Sequence, residues 1–293
     1  MDFTHKVEKL PKETYSVTVT IPWNAVQAAY DRSFETLSQS LEVEGFRRGK
    51  APKSVAQKHI SQERVYDHAI RDLLPGIYEE IVKKEDLKPV INPKIDLKQA
   101  KPNEDWIVVF TLAQRPTVKL ADYKKVVQNA KKDTKAPEIW VPGSSDAKEP
   151  PSEQEKAAKQ QQMLNSILTE LLKQSEVEIA DVIVEEELNQ RLARLVDDVQ
   201  KLGMTVESYL KSKQTTIEDL QAAYKREIEE THKIELILNE IAEAEKIQVE
   251  QAELDKLFAG VTDEKELKAV QQNAYYYAMI LRKQKTLDFL LGL

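Results

Sequence analysis

Cysteine is absent from the 293-residue chain, so disulfides, thiolate metal sites and thiol nucleophiles are excluded. Glycine is scarce, with 7 residues, and no G-x-G-x-x-G or P-loop is present, which removes the usual phosphate cradles of nucleotide-binding enzymes. The four histidines, His5, His59, His68 and His232, stand in no metal-ligand spacing, and no G-x-S-x-G occurs. Acidic runs such as Asp197-Asp198 and Glu185-Glu186-Glu187 fall on helical stretches as solvated faces, whereas a catalytic carboxylate pair needs apolar surroundings to split its pKa values. No catalytic residue, metal or cofactor is therefore expected. No apolar run approaches the ~18 residues of a membrane helix. The opening MDFTHKVEKL lacks the apolar centre of a signal peptide. A cytoplasmic protein without a membrane partner is the expectation.

What the chain does hold is charge and aliphatic surface. Charged residues make up 32% and hydrophobic residues 41%, against 6% aromatics, a balance that favours long amphipathic helices over a sandwich or barrel. The net charge of -7 is uneven: residues 1–118 carry 18 Lys/Arg and 17 Asp/Glu, whereas residues 161–293 carry 16 and 26. An acidic C-terminal half argues against broad nucleic-acid binding, so any such contact should be local and N-terminal.

Residues 14–21, TYSVTVTI, alternate as a half-buried strand that Pro22 ends. A helix follows from Asn24, with Val26, Tyr30, Phe34, Leu37 and Leu41 on one face and Asn24 and Gln27 placed as a capping box. Helical spacing resumes after Pro52 and again over about 62–84, where Pro75 should kink the helix. Residues 88–97 and 105–115 read as strands joined by a turn at Asn103-Glu104-Asp105. The N-terminal domain, residues 1–126, is thus α+β in the order strand, three helices, two strands. Residues 127–162 read as a Pro-rich linker, extended where prolines cluster and turning helical near Glu153; Ile139-Trp140-Val141 within it either docks on a neighbouring surface or forms a solvated kink. Residues 163–293 read as helices throughout, giving an all-α C-terminal domain and a mostly helical chain. Gly203 is placed to end one of these helices, Thr205 and Thr216 to begin the next two, and the last helix is expected from about Asp263.

The segment Gly45-Phe46-Arg47-Arg48-Gly49-Lys50-Ala51-Pro52 breaks the helical periodicity. Between Gly45 and Lys58 there are five cations and no anions, with an aromatic beside two arginines. The guanidinium fork suits carboxylate and phosphate, and an exposed Phe supplies an apolar anchor. On composition alone the segment is equally an ordinary basic loop joining two helices. Tyr275-Tyr276-Tyr277, Met279 and Ile280 point around the whole circumference of a helix, so some of them are exposed unless both sides are covered. Phe258 precedes Gly260 in a break between helices, as a contact at the tip of an arm or a local cap.

The GFRRGKAP segment matches G-F-R-x-G-K-x-P, the ribosome-binding signature of bacterial trigger factors, at every fixed position. Val7-Glu8-Lys9-Leu10, Leu73-Leu74-Pro75, Leu87-Lys88-Pro89-Val90 and Arg115-Pro116-Thr117-Val118 resemble that family's N-terminal domain; Val184-Glu185-Glu186-Glu187, Leu202-Gly203-Met204 and Leu238-Asn239-Glu240-Ile241-Ala242 resemble its helical domain. The resemblance covers about 1–126 and 163–293. It implies an ATP-independent chaperone whose helical arms shield nascent polypeptides while residues 45–50 dock beside the exit tunnel of the large ribosomal subunit, on protein and nearby ribosomal RNA. Within that helical domain Phe258, Tyr275, Tyr276 and Met279 are the candidate client contacts, with core packing the alternative for each, and a homodimer off the ribosome is left open. Where the family carries a prolyl-isomerase domain of FK506-binding type, this chain has only the linker, so no isomerase activity is expected. A ribosome-independent helical holdase or scaffold is the alternative reading.

Overall fold

The structure is a computed structural model that describes residues 3–134, 153–259 and 270–293. The chain forms two compact units, one of Met1–Pro116 with Ala180–Glu186, the other of Thr117–Ile179 with Glu187–Leu293.

In the first unit, strands β1 (Thr4–Leu10), β2 (Thr14–Ile21), β3 (Lys94–Gln99) and β4 (Trp106–Ala113) make an antiparallel sheet in the order β1-β2-β4-β3. Helices α1 (Trp23–Ser40), α2 (Lys53–His59) and α3 (Gln62–Lys84) lie between β2 and β3 in sequence. Alternation sorts the strands: Val17, Val19 and Ile21 of β2 and Trp106, Val108, Phe110 and Leu112 of β4 face one core with Val26 and Ala29 of α1 and Leu73, Ile77 and Ile81 of α3. Ser61 caps α3 by accepting from the Arg64 N–H, and the helix runs on through Pro75.

The local details depart from the sequence reading in three places. An additional strand, β1, precedes the first expected one; its charged residues face solvent, so THKVEKL shows little apolar alternation. The strand expected at 88–97 is displaced to Lys94–Gln99, because Pro89 and Pro93 cannot donate to a ladder. Helix α1 begins at Trp23 behind Pro22 rather than at an Asn24 cap, since the fixed φ of proline already suits that position and the Trp23 N–H donates to Asp105. The expected turn is present: Asn103 takes φ +64° between β3 and β4.

Residues Ala180–Glu186 complete this unit. Ala180 and Val182 pack with Ala113, Ile91 and Ile183, while Lys12 bonds Asp181 at 2.6 Å and Lys94 bonds Glu185 at 2.8 Å. Inside the core the Tyr78 ring packs on Phe110, and its hydroxyl is buried with no hydrogen-bond partner among the described residues. Burial also pushes the Tyr78 pKa up. Removing an orphan hydroxyl removes a desolvation cost. Tyr78→Phe is therefore expected to leave stability unchanged or raise it by about 1 kcal/mol, read as a shift of the denaturant midpoint at constant slope.

Among its described residues the second unit is helical apart from the two-residue ladder of β5 (Val118–Lys119) and β6 (Glu176–Val177). Its described helices are α4 (Tyr123–Thr134), α5 (Glu153–Gln174), the greater part of α6 (Asp181–Lys201), α7 (Val206–Ser212), α8 (Ile217–Ala244), α9 (Gln251–Phe258) and α10 (Ala274–Gly292). Helix α4 packs on α5, and α8 packs on α5 and α10, burying Val126, Val127, Ile167, Leu171, Ile237, Ile241 and Leu290. Helix thus occupies 127–134, read from sequence as linker, and α5 starts at Glu153, where that segment is expected to turn helical; Val127 and Ala130 supply an apolar stripe that the surrounding lysines mask. The rest of that segment, Trp140 included, lies outside the described residues, as does the start expected near Asp263. Gly203, at φ +71°, ends α6 as expected: the Met204 N–H bonds the Val199 carbonyl and the Gly203 N–H that of Gln200. Thr205 and Thr216 cap α7 and α8 by accepting from the N–H three residues on.

Glu245 at the end of α8 accepts from the Tyr123 hydroxyl and pairs with Lys124 at 2.8 Å. The Lys124 ammonium and then the Tyr123 hydroxyl hold its carboxyl below the usual range. A depressed carboxyl pKa contributes stability above the unfolded value, about 4.3, and loses it as pH falls through the folded one. Glu245→Gln is expected to lower the melting temperature at pH 7, with the difference from the parent shrinking as pH is taken through and below that range.

Candidate functional site

The GFRRGKAP segment is an ordered loop between α1 and α2, built of turns. Leu41 leaves α1 in an extended conformation. The Phe46 N–H bonds the Val43 carbonyl at 3.0 Å, closing a four-residue turn with Gly45 third at φ +86°. The Lys50 N–H bonds the Arg47 carbonyl at 2.9 Å, closing a second turn with Gly49 third at φ +73°. Between them the Gly49 N–H reaches back to the Leu41 carbonyl at 3.0 Å, so the base of the loop is held by backbone.

Beneath it, Phe34, Ala56, Ile60 and Val65 form a small core with Tyr30, Leu37 and Leu41 against it, fixing the end of α1 to α2 and the start of α3. The Lys53 ammonium lies over the Phe34 ring at 5.7 Å. The loop therefore stands on a packed base while its tip is solvated. Phe46 is 44% exposed, a large apolar side chain left in water. Arg47, Arg48 and Lys50 are exposed as well. Arg48 lies 3.8 Å from Glu42, a pair too exposed to contribute much; Arg47 and Lys50 have no ion-pair partner among the described residues. An aromatic and free guanidinium groups on a shaped loop can seat in an apolar niche and fork onto carboxylate or phosphate oxygens.

A second apolar surface lies on α10. Tyr275, Tyr276, Met279 and Ile280 are 80%, 61%, 50% and 47% exposed, and their spacing puts them along one side of the helix over its first turns. Tyr277, between them in sequence, turns inward and meets Phe258 edge-on at 5.7 Å. Phe258 itself is buried at 6%, so of the four residues marked as client contacts it is the one that serves as a local cap on α10 rather than as exposed surface. Sequence reasoning missed the exposed Ile95 and Leu97 on edge strand β3 and Leu202 beyond α6; nothing in their local pattern separates them from core positions.

Among the described residues no three His, Cys, Asp or Glu side chains converge as a metal would require. His5 pairs with Glu85, His68 with Ser33 and His232 with Glu187, each through one side-chain hydrogen bond. No described helix is long and apolar enough to cross a membrane.

Comparison with known proteins gives two matches that take up nearly the whole chain. A family model described as bacterial trigger factor protein matches residues 3–141, and one described as bacterial trigger factor protein C-terminus matches residues 145–291. The two adjoin, with only residues 142–144 between them and no span left for an isomerase domain. The trigger factor of Streptococcus pneumoniae (strain Hungary19A-6) is 36% identical over 110 residues, 38% of this chain and 26% of that protein. That of Streptococcus mutans serotype c (strain ATCC 700610 / UA159) is 34% identical over 123 residues, 41% and 29% respectively. Each alignment thus spans less than a third of the relative. A solved structure described as "Promiscuous Substrate Recognition in Folding and Assembly Activities of the Trigger Factor Chaperone" superposes with a TM-score of 0.62 at 16% identity, over 98% of this chain and 99% of its own, a likeness of fold.

Proposed function

We propose that this chain, which belongs to the bacterial trigger factor family, is an ATP-independent molecular chaperone that docks near the ribosomal exit tunnel and shields nascent polypeptides in the cytoplasm. The observation that carries the reading is the loop at 45–50, where Phe46 stands in water beside an Arg47 with no ion-pair partner among the described residues, on a base of packed side chains. Phe46 fills an apolar niche on the large subunit, and Arg47 forks onto a carboxylate of a ribosomal protein or a phosphate of ribosomal RNA. Arg48 and Lys50 add attraction that speeds encounter and fades with salt.

Residues 1–126 carry the docking function in this reading, and residues 163–293 hold clients. The exposed α10 face of Tyr275, Tyr276 and Met279 offers apolar surface, which suits weak binding of many unfolded sequences. No step needs a catalytic residue. The test uses one client in two assays. Its aggregation should fall when the chain is present without ATP. Its proline-limited refolding should keep the spontaneous time of roughly tens to hundreds of seconds. Undiminished aggregation would refute the chaperone, and an accelerated slow phase would refute the absence of isomerase activity.

A further inference from the structure

The two glycines of the docking loop have the same sign of φ but different surroundings. A Cβ on Gly45 would meet nothing within 4 Å, so that position asks only for a left-handed backbone. A Cβ on Gly49 would lie 2.5 Å from the Gln39 carbonyl oxygen and 3.1 Å from the Gln39 carbonyl carbon and Cα. All three atoms are main chain, in the last turn of α1, so no side chain can swing aside. The turn cannot retreat easily either, since Phe34 and Leu37 anchor that end of α1 in the core beneath the loop. The bond from the Gly49 N–H to the Leu41 carbonyl is made at the same point.

Resting on the docking reading above, we propose that Gly49 is a positioning residue for docking. Having no side chain, it lets the loop base seat against the backbone of α1, and this presets one arrangement of Phe46, Arg47 and Arg48 before the ribosome is met. Gly49 acts through those three side chains rather than by touching the ribosome. A loop shaped in advance spares the ordering cost that a flexible one would pay on binding. Any L-residue at 49 pushes the base off α1 and moves the tip while leaving every cation in place. Gly45 tolerates a residue that accepts positive φ, which asparagine does.

The test measures ribosome affinity of the full chain by cosedimentation, with thermal melting alongside. Gly45→Asn should lose less docking than either Gly49 variant, because its backbone requirement is met and a Cβ there meets nothing within 4 Å. Gly49→Ala and Gly49→Asn should both dock at least about tenfold more weakly, because the loop must be forced back against α1 to dock, with melting close to the parent's. Amide exchange on the unsubstituted chain needs no variant: the Gly49 N–H should be protected before any ribosome is added. Docking of Gly49→Asn at parental strength would assign the requirement to φ alone and overturn the proposal. Free exchange of the Gly49 amide in the unbound chain, with protection gained only on docking, would overturn it too. The Phe46, Arg47 and Arg48 triple alanine variant runs in parallel. If that variant docks normally, the docking reading itself has failed; if only the Gly49 variants dock normally, the positioning role alone has.

Discussion

Replacing Phe46, Arg47 and Arg48 together by alanine is expected to weaken ribosome binding by a hundredfold or more while leaving the fold intact. The size follows from what the three side chains are. Phe46 is a large apolar group already in water, so burying it on a partner returns hydrophobic free energy without disturbing this protein's own core. Arg47 has no ion-pair partner to give up among the described residues. Anchors of this kind typically cost about 2 kcal/mol or more each when truncated, and every 1.4 kcal/mol is tenfold in affinity. The fold should not notice, since surface substitutions away from caps and cores stay within about 0.5 kcal/mol. Binding of the parent should fall steeply with added salt, and the residual binding of the variant should fall less, because two of its cations are gone. Parental affinity in the variant, measured by cosedimentation, would remove the loop from the docking surface.

Phe110→Ala is expected to do the reverse, costing about 3–5 kcal/mol of stability. The Phe110 side chain is 1% exposed and lies at the centre of the sheet, opposite Val17 on one side and Ile95 on the other, with the Tyr78 ring against it. Truncation leaves a cavity that paired strands on both flanks cannot close. A domain's whole stability is about 5–15 kcal/mol, so much of the α+β unit's margin would be lost. Denaturant unfolding of the variant against the parent and Phe46→Ala makes the contrast direct: one phenylalanine carries the fold and the other leaves its midpoint unmoved. A shift of less than about 1 kcal/mol for Phe110→Ala would mean that the core described around β4 is not the one that holds the unit together.

Most of the architecture could be read in the sequence where one physical signal dominated. Period-2 alternation placed β2 and β4, and the spacing of Val65, Ala69, Leu73, Ile77 and Ile81 placed α3 from Gln62 to Lys84. Hydroxyl caps at Thr205 and Thr216 and the glycine at 203 marked helix ends, because each answers a local backbone demand. What was missed depends on tertiary context. Strand β1 is an edge strand whose lysines and glutamate face water, so its apolar signal is thin; the sheet supplies the pairing that the segment's own pattern does not announce. Helix α4 hides Val126, Val127 and Ala130 among lysines and needs α5 to become worth burying.

The GFRRGKAP loop was legible as a motif, and its basic, aromatic composition is what the structure leaves in solvent. The exposure of Phe46 follows the sequence reading, whereas Phe258, left open there as an arm-tip contact or a local cap, is buried. The difference lies in Tyr277, which arrives from another helix to cover Phe258, whereas the small core beneath the loop ends at Phe34 and Leu41 and leaves Phe46 outside. The unequal surroundings of Gly45 and Gly49 were invisible, since the close approach of Gln39 comes from backbone placement alone.

The absence of cysteine allows a single one to be placed at will. Ser54 lies exposed on α2 just past the docking loop, outside the residues assigned to contact, so Ser54→Cys carries a short photo-crosslinker without altering the tip. The labelled full chain is mixed with ribosomes bearing a nascent polypeptide, irradiated, and its adducts are identified. Crosslinks to a protein or to ribosomal RNA of the large subunit at the exit tunnel are expected, lost when Phe46, Arg47 and Arg48 are alanine. Adducts to the small subunit only, or large-subunit adducts that persist in the triple variant, would contradict docking through this loop.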